Sequence, residues 1–291
     1  DLGVRWPPAI PVAMLEAGLE RDAVVELGRL LSRGNIVVLT GAGVSTDSGI
    51  PDYRDEEGKW KQRAPMQFRD FVGSAAARQR YWARSTVGWH TMAGAKPNRA
   101  HSALAEMDQR GLLRMLITQN VDGLHSAAGS ERVIDLHGRL DRVICLECRR
   151  VSPRTELQQR LEADNPDFVG QNFVQRADGD VELSVDYGAF RVAPCPVCGG
   201  VLKPDVVFFG ENVPAPRVKD AMDALEGARA LIIAGSSLMV FSGFRFARAA
   251  ARLEVPIVVV NRGKTRADEL STLRIAGNVG ELLEQVLRAA S

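Results

Sequence analysis

The chain has 291 residues, 45% hydrophobic and 25% charged, with a formal net charge of +1. That length suits one large domain with a smaller one, and near-neutrality gives no bulk attraction to a polyanion, so no nucleic-acid partner is expected. No apolar run approaches the roughly 18 to 20 residues of a membrane span, and the opening DLGVRWPPAIP lacks the basic and apolar stretches of a secretion signal; no membrane association and a cytoplasmic location are the expectations.

Residues 20 to 33, ERDAVVELGRLLSR, place apolar side chains at helical spacing and stop at Gly34. Ile36 to Thr40 then reads as a buried parallel strand that opens into GAGVSTDSGIPDYR, residues 41 to 54. Gly41 and Gly43 suit a tight turn that brings backbone up to a pyrophosphate. The spacing nevertheless departs from the usual dinucleotide fingerprint, because the next glycine is Gly49 and Pro51 blocks smooth helical continuation. A dehydrogenase would also need a carboxylate about 20 residues beyond the glycines for the adenosine ribose, and residues 60 to 64, WKQRA, supply none.

A helical excursion from about Glu56 to Arg110 is followed by strands at Leu113 to Thr118 and Val133 to Leu136. These end in TQNVDGLH (118–125) and in His137-Gly138. A cysteine-flanked excursion from Ile144 to about Lys203 comes next. Strands at Ala230 to Ala234 and Pro256 to Val260 then end in Gly235-Ser236-Ser237 and Asn261-Arg262-Gly263. The alternation predicts an α/β fold, a Rossmann-like doubly wound parallel sheet built from residues 20–55, 111–143 and 204–288. The helical module 56–110 and the zinc-ribbon module 144–203 form the smaller domain. Polar or glycine residues after every strand converge at the carboxyl ends of the sheet, where such folds bind ligands, and glycines, hydroxyls and Arg54 suit a phosphate.

Cys145, Cys148, Cys195 and Cys198 are all the cysteines of the chain, arranged as two C-x-x-C pairs. This is the pattern of a tetrahedral four-thiolate zinc site, and four thiolates leave no open position, so the metal is expected to be structural, one per chain. Two disulfides or a redox C-x-x-C are the alternatives, disfavoured in a cytoplasmic chain. Between the pairs lie 46 residues, where a plain ribbon has about 15 to 20; something is inserted there.

Taken in order, GAGVSTDSGIPDYR, TQNVDGLH, LHG at 136–138, the two C-x-x-C pairs, KPDVVFFGE at 203–211, GSSL at 235–238 and NRG at 261–263 resemble the sirtuins, NAD-dependent protein lysine deacylases, over about residues 20 to 288. Tyr53 stands where most members carry phenylalanine. With RQRYWAR at 78–84 and the long insert, it resembles the class II subgroup of mitochondrial sirtuins of animals and their bacterial relatives. A bacterial cytoplasm, or the mitochondrial matrix where a targeting segment has been removed, is the location this implies. The acceptor is an acylated lysine of a protein substrate, and a monomer is favoured.

The resemblance implies that NAD is consumed at its nicotinamide–ribose bond rather than used for hydride transfer. Gly41, Ala42, Gly43, Ser45, Asp47, Ile50, Pro51 and Asp52 form the cofactor loop, and a segment through Ser48 to Lys61 folds over the ribose. Tyr53 shields the reacting carbon from water and Arg54 meets phosphate. Asn120 and Asp122, with Val121 between them, hold the nicotinamide carboxamide; Gln119 steadies the ribose. The acyl-lysine oxygen attacks the ribose carbon to give an alkylimidate, and His137 serves as general base toward a ribose hydroxyl, a task suited to a pKa of about 6.5. Gly235, Ser236 and Ser237 contact phosphate, while Asn261, Arg262, Gly263 and the backbone at Val279 cradle adenosine. Val207, Phe208, Phe209, Gly210 and Glu211 on one side, and Leu238 to Phe241 including Val240 on the other, flank the substrate peptide as strands.

Ordinary readings stand beside these. A histidine at a strand end is usually a satisfied polar residue, but LHG after QNVD favours the base. Asp122 alone could cap a helix, KPDVVFFGE alone could be a buried strand, and His101 and His125 read as packing residues. Tyr81 and Arg84 have the Tyr-x-x-Arg spacing of sirtuins that remove acidic acyl groups and would share a helical face; a buried tyrosine beside a solvated arginine is the competing reading. Removal of long or acidic acyl groups in preference to acetyl is the expectation. An NAD-dependent protein ADP-ribosyltransferase is the alternative activity. A zinc-ribbon binding module with a vestigial NAD site is a further alternative, opposed by the intact His137, Asn120 and Asp122.

Overall fold

In the computed structural model, residues 17–52, 65–168, 174–175, 181–182 and 186–290 are described. Helix α1 (Ala17–Ser32) turns at Gly34 into β1 (Ile36–Thr40), followed by α2 (Phe68–Gly73), α3 (Ala75–Gly94), α4 (Arg99–Gln109), β2 (Leu113–Thr118), the short α5 (Leu124–Ala127), β3 (Val133–Asp135) and β4 (Gly138–Cys145). Then come β5 (Val151–Pro153), α6 (Arg154–Asp164), β6 (Val174–Gln175), β7 (Val181–Glu182) and β8 (Leu202–Val206). The chain closes with α7 (Ala215–Leu225), β9 (Ala230–Ala234), α8 (Phe241–Arg252), β10 (Ile257–Val260), β11 (Leu273–Ile275) and α9 (Val279–Ala289). Among the described residues no helix is long and apolar enough to cross a membrane.

The main sheet has the order β11-β10-β9-β1-β2-β3, and every pairing in it is parallel. A parallel sheet must be covered on both faces, and the pleat sorts the apolar residues of β1 accordingly. Ile36 and Val38 pack with Leu27, Leu31, Leu104, Met107 and Leu283 of α1, α4 and α9. Val37 and Leu39 pack on the other face with Leu225 and Phe246 of α7 and α8. From β1 the chain builds outward through β2 and β3 on one side, and through β9, β10 and β11 on the other. The order therefore reverses between β1 and β9, and a crevice opens beyond their carboxyl ends.

The five strands expected from the sequence are present, with ends shifted by no more than a residue. Edge strand β11 escapes the sequence reading because its three residues are too short to show a period. Two element boundaries differ from the expected division. Helix α4 falls within 56–110, yet Ala100, Ala103, Leu104 and Met107 join the core of the main sheet. Strand β4 pairs with β8 at Gly138 and, past an irregularity, again from Val143 to Cys145, in a three-stranded antiparallel sheet ordered β5-β4-β8, so residues 138–143 and 204–206 join the sheet of the smaller module.

That module has its own core, in which Phe71, Tyr81, Trp82, Leu157, Phe190 and Leu202 are buried together. Arg154 lies within it, its guanidinium carbon 5.3 Å from the Trp82 ring centroid and 5.0 Å from that of Trp89. The two sheets meet at the start of β4. Gly138 has φ +82°, and a Cβ there would stand 2.0 Å from the carbonyl oxygen of Asp205. Only glycine fits, and this contact fixes the direction in which His137 leaves the main sheet. Gly138→Ala is expected to destabilise the fold by about 3 kcal/mol or more through strain and clash, read as a fall in Tm of at least about 5 °C by calorimetry.

Candidate active site

The ends of β1 and β9 dock backbone to backbone. The amide of Gly43 donates to the carbonyl of Gly235 at 2.9 Å. A Cβ on Gly41 would stand 2.7 Å from Cβ of Ser236, and one on Gly235, whose φ is +62°, would stand 2.6 Å from the nitrogen of Val44. Beyond Gly43 the loop runs through two 3-10 turns, Ala42–Val44 and Thr46–Ser48, in place of the long helix of the usual fingerprint. Asn98, the N-cap of α4, pins this loop by donating its amide to the carbonyl of Val44 at 2.8 Å and to Ser48 Oγ at 2.9 Å.

One cavity of about 720 Å³ collects most of the residues singled out from the sequence. Gly41, Ala42, Gly43, Ser45, Ile50 and Asp52 line it from the first loop, and Gln119, Asn120, Val121, Asp122 and His137 from the ends of β2 and β3. Gly235, Ser236 and Ser237, then Asn261, Arg262, Gly263 and Val279, line the remaining end. Asp47 and Pro51 are not among the lining residues. Asp47 accepts from Asn278 Nδ2 at 3.2 Å, which ties the loop to the N-cap of α9. Tyr53 and Arg54 lie outside the described residues.

Beneath the loop runs a polar network. Ser45 Oγ donates to Asp122 Oδ2 at 2.7 Å and accepts from Asn120 Nδ2 at 3.1 Å; Asn120 also donates to the carbonyl of Gly41 at 3.1 Å. Asp122 accepts from the amide of Leu124 at 2.9 Å as well, so the expected cap is present too. The two buried histidines support this layer. His101 Nδ1 accepts from the Asn98 amide at 3.2 Å and its Nε2 reaches Ser45 Oγ at 3.4 Å, while His125 Nε2 reaches Thr40 Oγ1 at 2.9 Å. Burial lowers the pKa of both, for His101 against the opposing pull of Asp122 and for His125 with help from His101.

His137 is held by groups on opposite sides. Its Nδ1 lies 2.9 Å from the carbonyl oxygen of Gln119, which can only accept, so the proton sits on Nδ1. Nε2 is therefore the basic nitrogen, and Ser242 Oγ donates to it at 2.8 Å. Burial lowers the His137 pKa to about 4; the Gln119 carbonyl opposes this, and the charges of Arg217 and Arg245 add to it. The ring is thus neutral at working pH. Gln119 is fixed in turn by its donation to Ser236 Oγ at 2.7 Å. Sequence reasoning missed Ser242 and Arg245, both lining residues on α8; the sole signal was their position just beyond GSSLMVF.

On the small-module side Tyr81, Val207, Phe208, Phe209, Gly210 and Glu211 line the cavity, as do Leu238 and Val240 across from them. Arg84 does not. Neither flank is a regular strand: β8 ends at Val206, and past it there is a parallel bridge between Gln67 and Phe209. The turn is braced from inside. Buried Lys203 approaches Glu211 Oε2 at 3.1 Å and also donates to the carbonyl of Val206, and Glu211 Oε2 accepts from the amide of Phe208 at 2.9 Å. Burial lowers the Lys203 pKa while Glu211 holds it up. Glu211 thus shapes the cavity-facing turn.

The four cysteine sulfurs lie within 4.8 Å of one another, with Cys145 and Cys198 at 3.5 Å and Cys148 and Cys195 at 3.8 Å. A tetrahedral shell with Zn–S bonds of 2.3 Å has sulfur edges of about 3.8 Å, so the four cysteines are positioned to bind one structural zinc. Backbone amides of Cys198 and Val197 pull the Cys195 thiol down to about 7, toward the thiolate a metal requires.

The model of the Sir2 family matches residues 41–242. An NAD-dependent protein deacetylase of Xanthomonas axonopodis pv. citri is 56% identical over 249 residues, covering 85% of each chain. A solved complex of Sir2 with a p53 peptide and NAD+ is 31% identical, covers 90% of this chain and 96% of its own, and has a TM-score of 0.73. A Sir2 protein bound to a myristoylated histone peptide is 26% identical, covers 92% and 96%, and has a TM-score of 0.65.

Elemental analysis of the purified protein should find one zinc per chain. Cys195→Ser should lose it and melt at least about 10 °C lower, since a structural zinc contributes on the order of 10 kcal/mol in small modules. The folded pKa of His137 lies below its unfolded value, so the unfolded chain takes up protons first. The associated stability is complete above pH 6.5 and is lost as pH falls toward about 4. Urea midpoints should follow that course, and the fall between pH 6.5 and 4 should be shallower in His137→Gln.

Proposed function

The chain belongs to the Sir2 family, the sirtuins, and from that premise together with the cavity we propose that it is an NAD-dependent protein deacetylase acting on acylated lysine. The observation that carries the reading is the meeting, in one cavity, of the Gly41–Gly43 and Gly235 turns, the Asn120–Asp122 pair and a neutral His137 whose basic nitrogen is defined. The Xanthomonas relative carries that activity in its name, and the similar Sir2 complex holds both NAD+ and an acceptor peptide.

The glycine turns bring amide-rich backbone next to the pyrophosphate, where no side chain intervenes. Arg262 and Lys264 add positive charge from the adenosine side. Asn120 and Asp122 orient the carboxamide of the nicotinamide. Their geometry is set by Ser45, which bonds both, so the pocket is organised before a ligand arrives. NAD supplies the electrophile, a ribose carbon that exchanges nicotinamide for the acyl oxygen. His137 Nε2 takes the proton of the ribose hydroxyl that occupies the place held by Ser242 Oγ. One water is consumed as the C–N bond between the acyl carbon and the lysine nitrogen breaks, and the products are nicotinamide, free lysine and acyl-ADP-ribose. Exclusion of bulk water from the cavity favours the acyl acceptor over hydrolysis.

The finer reading is a preference for long or acidic acyl groups over acetyl. It is supported by the apolar side chains of Met66, Tyr81, Leu140 and Phe208 at the small-module end of the cavity, and by the similarity to a Sir2 protein bound to a myristoylated peptide. Tyr81 adds a hydroxyl for an acidic group, with Arg84 one helical turn away. Placement in the class II subgroup rests on Tyr53, the RQRYWAR segment and the insert between the cysteine pairs.

Zinc-loaded protein incubated with NAD and an acyl-lysine peptide should release nicotinamide and form acyl-ADP-ribose, identified by mass. His137→Ala should lower kcat/KM by about 10²-fold or more, the usual share of a general base, while NAD still binds. Unchanged turnover in that variant, or an ADP-ribosylated peptide as the main product, would exclude the assignment. Long-chain and methylglutaryl peptides should exceed the acetyl peptide in kcat/KM; a clear acetyl preference ends the finer reading.

A further inference from the structure

Helix α8 carries a cation for which the site described so far has no use. Arg245 stands three residues after Ser242, and residues so spaced share a helical face. Both line the cavity with His137. The guanidinium carbon lies 5.4 Å from the ring centroid of Phe241, which is 50% exposed at the start of α8. Arg245 Nε is buried without a hydrogen-bond partner, and the residue forms no ion pair among the described residues. The neighbouring cation differs: Arg217 is 3.9 Å from the carboxylate of Asp205. Of the acidic residues lining the same cavity, Asp122 is engaged by Ser45 and Leu124, and Glu211 by Lys203 and Phe208.

A planar, partly desolvated guanidinium stacked on an aromatic ring keeps its fork of donors available for a carboxylate. Arg245 borders the segment from Leu238 to Phe241, one wall of the peptide groove, whereas the acyl end is bounded by Met66, Tyr81 and Phe208 on the small module. On the reading of the chain as a lysine deacylase, we propose that Arg245 is a specificity residue that receives the carboxylate of an acidic side chain beside the modified lysine. The partner it selects is therefore a protein whose acyl-lysine sits next to aspartate or glutamate. Docking that carboxylate also neutralises a charge that bears on His137 and makes its Nε2 more basic, so an acidic peptide improves the base as well as the binding.

The test uses full-length, zinc-loaded enzyme and acetyl-lysine peptides with Asp, Asn or Lys on both sides of the modified residue, together with a succinyl-lysine peptide flanked by Asn. Nicotinamide release gives kcat/KM for wild type, Arg245→Gln and Arg245→Glu. Asp should exceed Asn by about tenfold in the wild type, as for one charge-assisted hydrogen bond. The ratio should approach one in Arg245→Gln and turn toward Lys in Arg245→Glu. Equal use of Asp and Asn by the wild type, or a ratio that survives in Arg245→Gln, would overturn the proposal. So would an Arg245-dependent gain confined to the succinyl peptide, which would put the carboxylate on the acyl group. Failure to release nicotinamide with every peptide would instead remove the deacylase reading itself, a result separable from equal rates.

Discussion

The molecule is organised around a backbone contact that admits no side chains: the amide of Gly43 on the carbonyl of Gly235, at the edge where the strand order reverses. With the Cβ of Gly41 already excluded by Ser236, the loop after β1 cannot move away from the loop after β9 without losing that bond. The same constraint leaves room above the two turns for an extended ligand. Because the loop continues as short 3-10 turns, the residues that a long helix would have buried are available to Asn98, Ser45 and Asn278.

What hangs from this contact is a set of polar groups whose protonation states follow from their partners. The carbonyl of Gln119 decides which nitrogen of His137 is basic, and the hydroxyl of Ser242 occupies that nitrogen until something displaces it. Burial does the rest: a neutral imidazole is the form that costs least in a desolvated pocket beside two arginines. His101 and His125 obey the same rule one layer below. The pocket is polar and hydrogen-bonded, and its ionisable lining residues are of both signs, Asp52, Asp122 and Glu211 against Arg245, Arg262 and Lys264.

The smaller module contributes rigidity at two places. The zinc-competent cysteines tie the ends of β4 and of the segment before β8, and Lys203 with Glu211 stiffens the turn that follows. The result is one wall of the cavity, with the start of α8 as the other. His137 and Gly138 lie where the walls converge, because β4 departs from the main sheet at the left-handed position of Gly138.

The sequence by itself settled whatever depends on neighbours in the chain. Glycines at positions 41, 43 and 235, two C-x-x-C pairs, apolar strands ending in polar residues and a histidine after a short strand are local statements, because positive φ, turn geometry and strand period are decided within a few residues. It did not yield Ser242 or Arg245, the assignment of α4 to the main sheet, or the bond from Asn278 to Asp47. It also expected strand-like segments at 207–211, where the fold makes a braced turn. Each of these rests on a meeting between distant segments: Ser242 and His137 are 105 positions apart, Ser45 and Asp122 are 77, and Asp47 and Asn278 are 231. Such pairings are fixed by the order of strands and the seating of helices on the sheet, and that is what only the tertiary structure could decide.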